Sequence, residues 1–227
     1  MNRAKKMAKW MLEDLLFVQR LPRSCGNAAL LTFDDGPDAK LTPKILDMLD
    51  AHDARACFFV VGAYARKESS LLLEILHRGH VVGNHGYSHG RADLGFRSHA
   101  EDVYRCQQTI SEITGIEARV FRPPLGSVTV GGTLASRRLG AKQVLWSIEG
   151  GEWSFAKSQP AEQIAQRLAE GIRGRDVVLL HDNNEKTATI LETVLPALLR
   201  RGLDLYSGAR HIAGAPQASP ASTRQAP

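Results

Sequence analysis

The stretch LLTFDDGPDAK, residues 30–40, places two adjacent carboxylates at the end of an apolar run and follows them with a Gly-Pro turn. The apolar run is typical of a buried strand, and a Gly-Pro pair marks the turn that ends it. Neighbouring aspartates repel each other, so Asp34 and Asp35 are costly at a buried strand end unless one of them has a partner. A divalent cation is one such partner.

Outward from this stretch, short apolar runs alternate with helical patterns along the middle of the chain. The apolar runs predict strands at residues 28–33, 56–61, 80–82, 120–121, 143–148, 177–180 and 203–206. The helical patterns lie at residues 43–51, 70–78, 98–114, 133–139, 160–171 and 187–200. Strict alternation of strand and helix predicts an α/β fold with a parallel sheet and crossover helices. The pattern alone does not choose between a barrel and an open sheet.

Length and composition suit a single globular domain that needs no disulfides. The chain has 227 residues, of which 43% are hydrophobic and 23% charged. Three cysteines without a C-x-x-C pair argue against a disulfide framework and favour a reducing compartment. We expect the domain at residues 27–208, an amphipathic helix and linker at residues 1–26, and a disordered tail rich in Ala, Pro and Ser at residues 209–227.

The net charge of +5 comes from scattered basic residues without an aromatic-rich basic motif, which argues against a nucleic-acid partner. No run approaches the roughly 18 apolar residues of a membrane span. Residues 1–23 begin with basic side chains, but Glu13 and Asp14 interrupt the apolar stretch, so we interpret them as an amphipathic helix rather than a signal peptide. We expect a cytoplasmic protein whose N-terminal helix packs on the domain or contacts the inner membrane peripherally.

Five of the predicted strand ends carry polar residues of types that bind metals or catalyse reactions. They are DDGP at residues 34–37, GNHGYSHG at 83–90, RPPLG at 122–126, EGGEW at 149–153 and HD at 181–182. In parallel α/β folds, functional sites gather at the carboxyl ends of strands. His85 and His89 have the i, i+4 spacing that puts two imidazoles on one face of a helical turn. With a carboxylate from Asp34 or Asp35 they would provide three ligands for a divalent metal and leave a position for water.

The motifs TFDDGP, HGYSH, RPPLG, WSIEGGEW and VVLLHD resemble, in order, the five motifs of the NodB-type polysaccharide deacetylases, carbohydrate esterase family 4. The resemblance covers about residues 28–206. It implies a distorted (β/α) barrel of about seven parallel strands. It also implies a metal-dependent hydrolase that removes acetyl groups, most often from N-acetylated sugars.

The resemblance also implies a role for individual residues of this chain. Asp34 would be the catalytic base, Arg122 the arginine that holds this base, and His181 the general acid. The metal ligands would be Asp35, His85 and His89. The Leu125 N–H would donate to the oxyanion, and Leu179 and Trp153 would form apolar walls around the acetyl methyl group.

Several positions depart from the family pattern. Gly86 stands where the family usually has Ser or Thr, and Leu125 stands where it usually has Tyr. Glu149 and Glu152 stand where aspartates are common. Glu152 would therefore orient His181 from one methylene further away than the usual aspartate.

We expect an N-deacetylase of an amino sugar, an oligosaccharide or polysaccharide, or a lipid-linked sugar. The expected cofactor is one divalent metal, with zinc as the first choice, although the same ligand set accepts Co2+, Ni2+ or Fe2+. One alternative is a deformylase or cyclic-amide hydrolase on the same scaffold. Another is a non-catalytic glycan-binding protein, which the departures at Gly86, Leu125, Glu149 and Glu152 favour.

Overall fold

The computed structural model describes residues 17–90 and 95–214, and in this part of the chain seven parallel strands form one sheet flanked by eight helices. The strands are β1 (Leu30–Gly36), β2 (Ala56–Val60), β3 (Val81–Asn84), β4 (Val120–Phe121), β5 (Lys142–Gln143), β6 (Ile148–Glu149) and β7 (Val177–His181). The helices are α1 (Thr42–Ala51), α2 (Gly62–Lys67), α3 (Ser69–His77), α4 (Phe96–Thr114), α5 (Val130–Arg138), α6 (Ala161–Gly171), α7 (Lys186–Arg200) and α8 (Ser207–Ala213). Short 3-10 turns occur at Arg23–Cys25 and Pro124–Gly126.

The strand order shows how the sheet curls. It is β5-β4-β3-β2-β1-β7-β6, and every pair is parallel. The two edge strands, β5 and β6, follow each other in sequence, with residues 144–147 between them. Because so short a segment joins the opposite edges, the sheet must curve until they approach each other. The predicted distorted (β/α) barrel of about seven parallel strands is confirmed.

Side chains alternate between the two faces of the central strands. Phe33, Phe58 and Leu180 belong to the apolar layer between the sheet and the helices packed around it. Cys57 and Phe59 alternate with these and belong to a second apolar cluster inside the curved sheet. Because apolar side chains fill the interior of the curved sheet, the polar residues of the candidate site lie at the strand ends.

Both ends of the described chain pack into the interior cluster, which changes the predicted domain limits. Leu21 and Cys25 are buried there, together with Ala209 and Ile212 of α8. The prediction of a disordered tail is therefore wrong for residues 209–214, because α8 buries an apolar face. Residues 215–227 and the first sixteen residues of the predicted N-terminal helix lie outside the described residues.

Two strand predictions are also corrected. The run at residues 143–148 forms two short strands at opposite edges, because the carbonyl oxygens of Val144 and Leu145 accept hydrogen bonds from the Arg122 guanidinium. The run at residues 203–206 makes a single bridge to Ala28 and then a turn, in which the Asp204 carboxylate accepts backbone N–H groups at the start of α8. Among the described residues, no helix combines the length and the hydropathy needed to cross a bilayer.

Candidate functional site

The end of β1 separates the two adjacent carboxylates. Asp34 still pairs in register with Phe59 of β2 and His181 of β7, but the register shifts between Asp34 and Gly36. Asp35 lies at this shift with a φ of 71°, in the left-handed region. The irregularity sends the Asp34 carboxylate toward Arg122 and the Asp35 carboxylate toward two histidines. The repulsion between neighbouring aspartates is thereby relieved by two different sets of partners.

Asp35, His85 and His89 bring one ligand atom each into a common space, with all three atoms within 4.8 Å of one another. Oδ1 of Asp35 lies 3.0 Å from Nε2 of His89 and 3.4 Å from Nε2 of His85. Nδ1 of His85 lies 2.8 Å from the carbonyl oxygen of Arg122. With Nδ1–H donating to that carbonyl, the Nε2 lone pair of His85 points into the shared space, as in histidines that ligate metals.

The donor set fits a divalent cation. The buried Oδ1 of Asp35 has no hydrogen bond of good geometry from any described residue, despite the two imidazole nitrogens near it. Burial opposes ionisation of Asp35, but the close approach of the His85 and His89 imidazoles outweighs it and holds the pKa of Asp35 well below the usual range. Two imidazoles and a carboxylate are a common three-residue zinc set, and Co2+, Ni2+ and Fe2+ accept the same donors.

The two histidines do not lie on a helical turn, so that part of the spacing argument was wrong. Residues 85–89 form a loop in which Gly86 and His89 both have positive φ, at 76° and 53°. Asp102 of α4 holds this loop by accepting the backbone N–H groups of Tyr87 and Ser88 at 2.9 and 3.0 Å. A Cβ on residue 86 would collide with the Asp102 carboxylate. Gly86 is therefore required by this loop, and Asp102 supplies the support that a hydroxyl at residue 86 would otherwise give.

Arg122 fixes Asp34 beside the three ligand atoms. One guanidinium nitrogen donates to Asp34 Oδ1 at 2.7 Å and to Thr32 Oγ1 at 2.7 Å. The guanidinium is fully buried and stacks 4.1 Å above the centre of the Phe59 ring. Oδ2 of Asp34 lies 3.5 Å from Nε2 of His85. The arrangement leaves one oxygen of Asp34 facing the ligand cluster, where it can accept a proton.

His181 is paired with Glu152 in spite of the longer glutamate side chain. Nδ1 of His181 lies 2.9 Å from Oε1 of Glu152, whose side chain is fully buried. Gly150 makes room for the glutamate, since a Cβ there would overlap Glu152 Oε2. Burial alone would lower the pKa of His181, but the Glu152 hydrogen bond and the charges of Asp34, Glu152 and Asp35 raise it above its ordinary value. The raised pKa favours the protonated imidazole of His181, which lies next to Asp34 of the neighbouring strand.

Glu149 lies near His181 and Glu152 but is not hydrogen-bonded to His181. Burial and the Glu152 charge raise the pKa of Glu149, whose side chain makes no hydrogen bond to His181.

The remaining predicted residues lie on three separate elements. Leu125 is 66% exposed, with a φ of 57°, and its N–H donates to no described residue. Trp153 is 48% exposed, and its indole N–H donates to Asn183 at 3.2 Å. Leu179 is buried two residues before His181, so both side chains share one face of β7.

Asp182 is a buried residue at this site whose role sequence reasoning missed. Its Oδ2 accepts the Thr42 hydroxyl at 2.7 Å, and Thr42 Oγ1 in turn accepts the Asp38 N–H at 2.8 Å. A Cβ on Gly36 would overlap the Asp182 carboxylate. Thr42, the first residue of α1, ties the loop after Asp35 to the end of β7 through these two hydrogen bonds. Burial raises the pKa of Asp182 to about 7, although the hydrogen bond from Thr42 acts in the opposite direction.

Comparisons with known proteins find relatives along most of this chain. The family described as polysaccharide deacetylase matches residues 23–144, which include Asp34, Asp35, His85, His89 and Arg122. The peptidoglycan-N-acetylglucosamine deacetylase of Listeria monocytogenes is 29% identical over 209 residues, which cover 90% of this chain and 43% of that protein. This chain therefore spans less than half the length of that relative.

Two further relatives are covered more completely. The chitooligosaccharide deacetylase of Sinorhizobium fredii is 29% identical over 214 residues, which cover 86% of this chain and 98% of that protein. The structure of a family 4 carbohydrate esterase from Streptomyces lividans, solved in complex with acetate, is 29% identical with a TM-score of 0.71. That match covers 79% of this chain and 91% of the solved chain.

Proposed function

Because the chain belongs to the polysaccharide deacetylase family, we propose that it is a metal-dependent hydrolase that removes N-acetyl groups from N-acetylglucosamine residues of a glycan. One observation carries the proposal: Asp34 and His181 stand side by side on β1 and β7, next to the converging ligand atoms of Asp35, His85 and His89. The names of the curated relatives support peptidoglycan or chitooligosaccharides as the substrate class.

We propose zinc as the ion that Asp35, His85 and His89 hold. When bound, such a cation supplies Lewis acidity toward an acyl oxygen and acidifies water. Asp35 neutralises part of its charge, and the His85 hydrogen bond to the Arg122 carbonyl keeps that imidazole oriented.

Asp34 acts as the general base that takes a proton from the attacking water. Its Oδ1 is committed to Arg122, so the oxygen that faces the ligand cluster, Oδ2, receives the proton. The buried guanidinium prevents the carboxylate from rotating away. Positioned proton transfer of this kind contributes roughly 10²–10⁴-fold to the rate.

His181 acts as the general acid. Its Nδ1–H is held by Glu152, which directs the Nε2 proton toward the leaving amine of the sugar. The raised pKa of His181 favours the imidazolium, the form that has a proton to give. The extra methylene of Glu152 does not weaken this arrangement, because the two groups are within ordinary hydrogen-bonding distance.

The Leu125 N–H donates to the oxyanion of the tetrahedral intermediate. The positive φ of Leu125 turns its peptide in the 3-10 turn after β4 and leaves the N–H without a described acceptor. A backbone donor does not depend on the side chain, so leucine serves here as well as tyrosine. A single donor of this kind is worth about 3–4 kcal/mol in transition-state stabilisation.

The test is acetate release by the purified, metal-loaded protein from N-acetylated chitooligosaccharides and from peptidoglycan fragments. Formate release from N-formylated sugars and opening of cyclic amides are measured in parallel. We expect acetate from the N-acetylated sugars and loss of this activity in Asp34→Asn. Formate or ring-opened product without acetate would replace the proposal with a deformylase or cyclic-amide hydrolase, and glycan binding without any product would indicate a non-catalytic protein.

A further inference from the structure

Glu152, the partner of His181, is held in place by little besides its own backbone. Its side chain is buried, with Oε1 at the His181 imidazole and Oε2 without a hydrogen-bond partner among the described residues. The residue follows two adjacent glycines, Gly150 and Gly151, and Gly151 has a φ of 72°. Glycine has more backbone freedom than any other residue. The position of the Glu152 carboxylate therefore depends on what fixes the backbone of residues 149–152.

Arg167 of α6 binds this backbone through two carbonyl groups. Its terminal guanidinium nitrogens donate to the carbonyl oxygen of Glu149 at 3.2 Å and to that of Gly150 at 2.5 Å. The N–H of Gly150 donates in the other direction, to the carbonyl oxygen of Leu179 on β7 at 2.9 Å. Hydrogen bonds from a charged donor are stronger than those between neutral groups. Arg167 is therefore the main side-chain restraint on the segment that leads into Glu152.

The Arg167 guanidinium is committed to this segment. It lies 5.0 Å from the centre of the Phe155 ring, and a Cβ on Gly151 would collide with the same ring. Nε of Arg167 is buried and has no acceptor among the described residues. The hydrogen bonds that the guanidinium makes to described residues thus all go to residues 149 and 150.

The helix that carries Arg167 has a fixed position of its own. Ile164 and Leu168 of α6 are buried in the apolar layer between the sheet and the helices. Arg201, directly after α7, donates to the carbonyl oxygens of Ala169 and Ile172 at the carboxyl end of α6. Arg167 therefore connects a helix held by the core to the segment that places Glu152.

We propose that Arg167 is a positioning residue, which keeps the Glu152 carboxylate at His181 by binding the two carbonyl groups before it. The inference rests on the proposed function, since it assumes that His181 is the general acid. Without Arg167 the two glycines would let the segment move, and the 2.9 Å contact between Glu152 and His181 would loosen. Because a general acid acts in the transition state, its misplacement lowers kcat and leaves KM nearly unchanged.

The experiment measures acetate release from N-acetylated chitooligosaccharides by wild type, Arg167→Ala and Arg201→Ala, each alone and combined with Glu152→Ala, all metal-loaded. Arg201 is a matched control, because it also donates to two carbonyl oxygens at α6 but does not bind the segment before Glu152. We expect Arg167→Ala to lower kcat about tenfold, a part of the roughly 10²–10⁴-fold that positioned proton transfer contributes. KM and metal content should match the wild type, and Arg201→Ala should keep the wild-type kcat. In the Glu152→Ala background Arg167→Ala should have no further effect, since no carboxylate remains to be placed.

A kcat of Arg167→Ala equal to the wild type, or the same loss with and without Glu152, would overturn the positioning role and leave the proposed function standing. Arg167→Lys, which offers one donor group to two carbonyl oxygens, takes its place in the same comparison if Arg167→Ala does not fold. The imidazole N–H signal of His181 in proton NMR, assigned by its absence from His181→Gln, gives a readout without turnover. If no acetate is released but this signal exchanges faster with water in Arg167→Ala than in Arg201→Ala, the deacetylase proposal fails and the positioning of Glu152 stands. Equal signals in both variants would remove the positioning role as well.

Discussion

Glu152→Gln isolates the charge that supports the proposed general acid. The carboxamide oxygen can still accept the Nδ1–H of His181, so the tautomer is retained while the negative charge is lost. Burial lowers the pKa of His181, whereas Glu152 and the charges of Asp34 and Asp35 raise it, so removing the Glu152 charge should lower this pKa. The alkaline limb of the rate profile, where the imidazolium loses its proton, should therefore move to lower pH.

The size of this shift follows from the burial of the pair. A hydrogen bond to a charged group contributes about 1.5–3 kcal/mol and one to a neutral group about 0.5–1.5 kcal/mol, so loss of the charge alone removes about 1–1.5 kcal/mol. One pKa unit corresponds to about 1.36 kcal/mol, so the alkaline limb should move by about 1 pH unit. The side chains are 16% and 0% exposed, so solvent screening reduces this value little.

The assay is the pH dependence of kcat/KM for acetate release by wild type, Glu152→Gln and Glu149→Gln at full metal occupancy. Glu149→Gln is the matched control, because it removes a nearby carboxylate that makes no hydrogen bond to His181. An alkaline limb in Glu152→Gln that coincides with the wild type, or moves no further than in Glu149→Gln, would refute the role assigned to Glu152.

Four other changes test separate parts of the site and the fold. Asp34→Asn should lower kcat by roughly 10²–10⁴-fold or more while metal content, measured by elemental analysis, stays at the wild-type value. His89→Ala should lower metal content per chain, and wild-type occupancy in this variant would contradict its assignment as a ligand. Burial lowers the pKa of His80 to about 4, so the folded state resists its protonation, and the unfolding free energy should fall by about 3 kcal/mol as pH drops from 6.5 to 4. Urea unfolding of His80→Asn should lose that component of the pH dependence. Burial raises the pKa of Asp182 to about 7, so its stabilising contribution is complete below pH 3.8 and disappears as pH rises to 7. The unfolding free energy of Asp182→Asn should therefore rise by up to about 4 kcal/mol relative to that of the wild type between pH 4 and pH 7. A difference that stays constant over this range would show that the carboxyl stays ionised.

The alternation of apolar runs and helical patterns was enough to predict the parallel sheet, whereas its barrel-like curvature was predicted only by the family resemblance. It failed where contacts distant in sequence decide the backbone. The run at residues 143–148 has the pattern of one strand. Arg122 binds two of its carbonyl oxygens, and the run is divided between two short strands at opposite edges of the sheet. The run at residues 203–206 has the apolar residues of a strand but ends in the turn that starts α8.

Strand ends and motif order located the residues of the candidate site. They did not reveal the contacts that hold those residues in place. The H-x-x-x-H spacing identified His85 and His89 and wrongly predicted a helical turn, because the Asp102 contacts that shape the loop are not visible in a local pattern. Asp182 was noted only as part of a strand end. Its contacts with Gly36 and Thr42 join positions about 140 residues apart, which no local periodicity encodes.

The most direct test of the central claim is anomalous diffraction from crystals of the protein grown with one equivalent of Zn2+, recorded on both sides of the zinc edge. The account predicts a single strong peak per chain, bounded by a carboxylate oxygen of Asp35 and the Nε2 atoms of His85 and His89, and its loss in His89→Ala. Zinc bound elsewhere in the folded protein, with these three side chains directed to other partners, would contradict it.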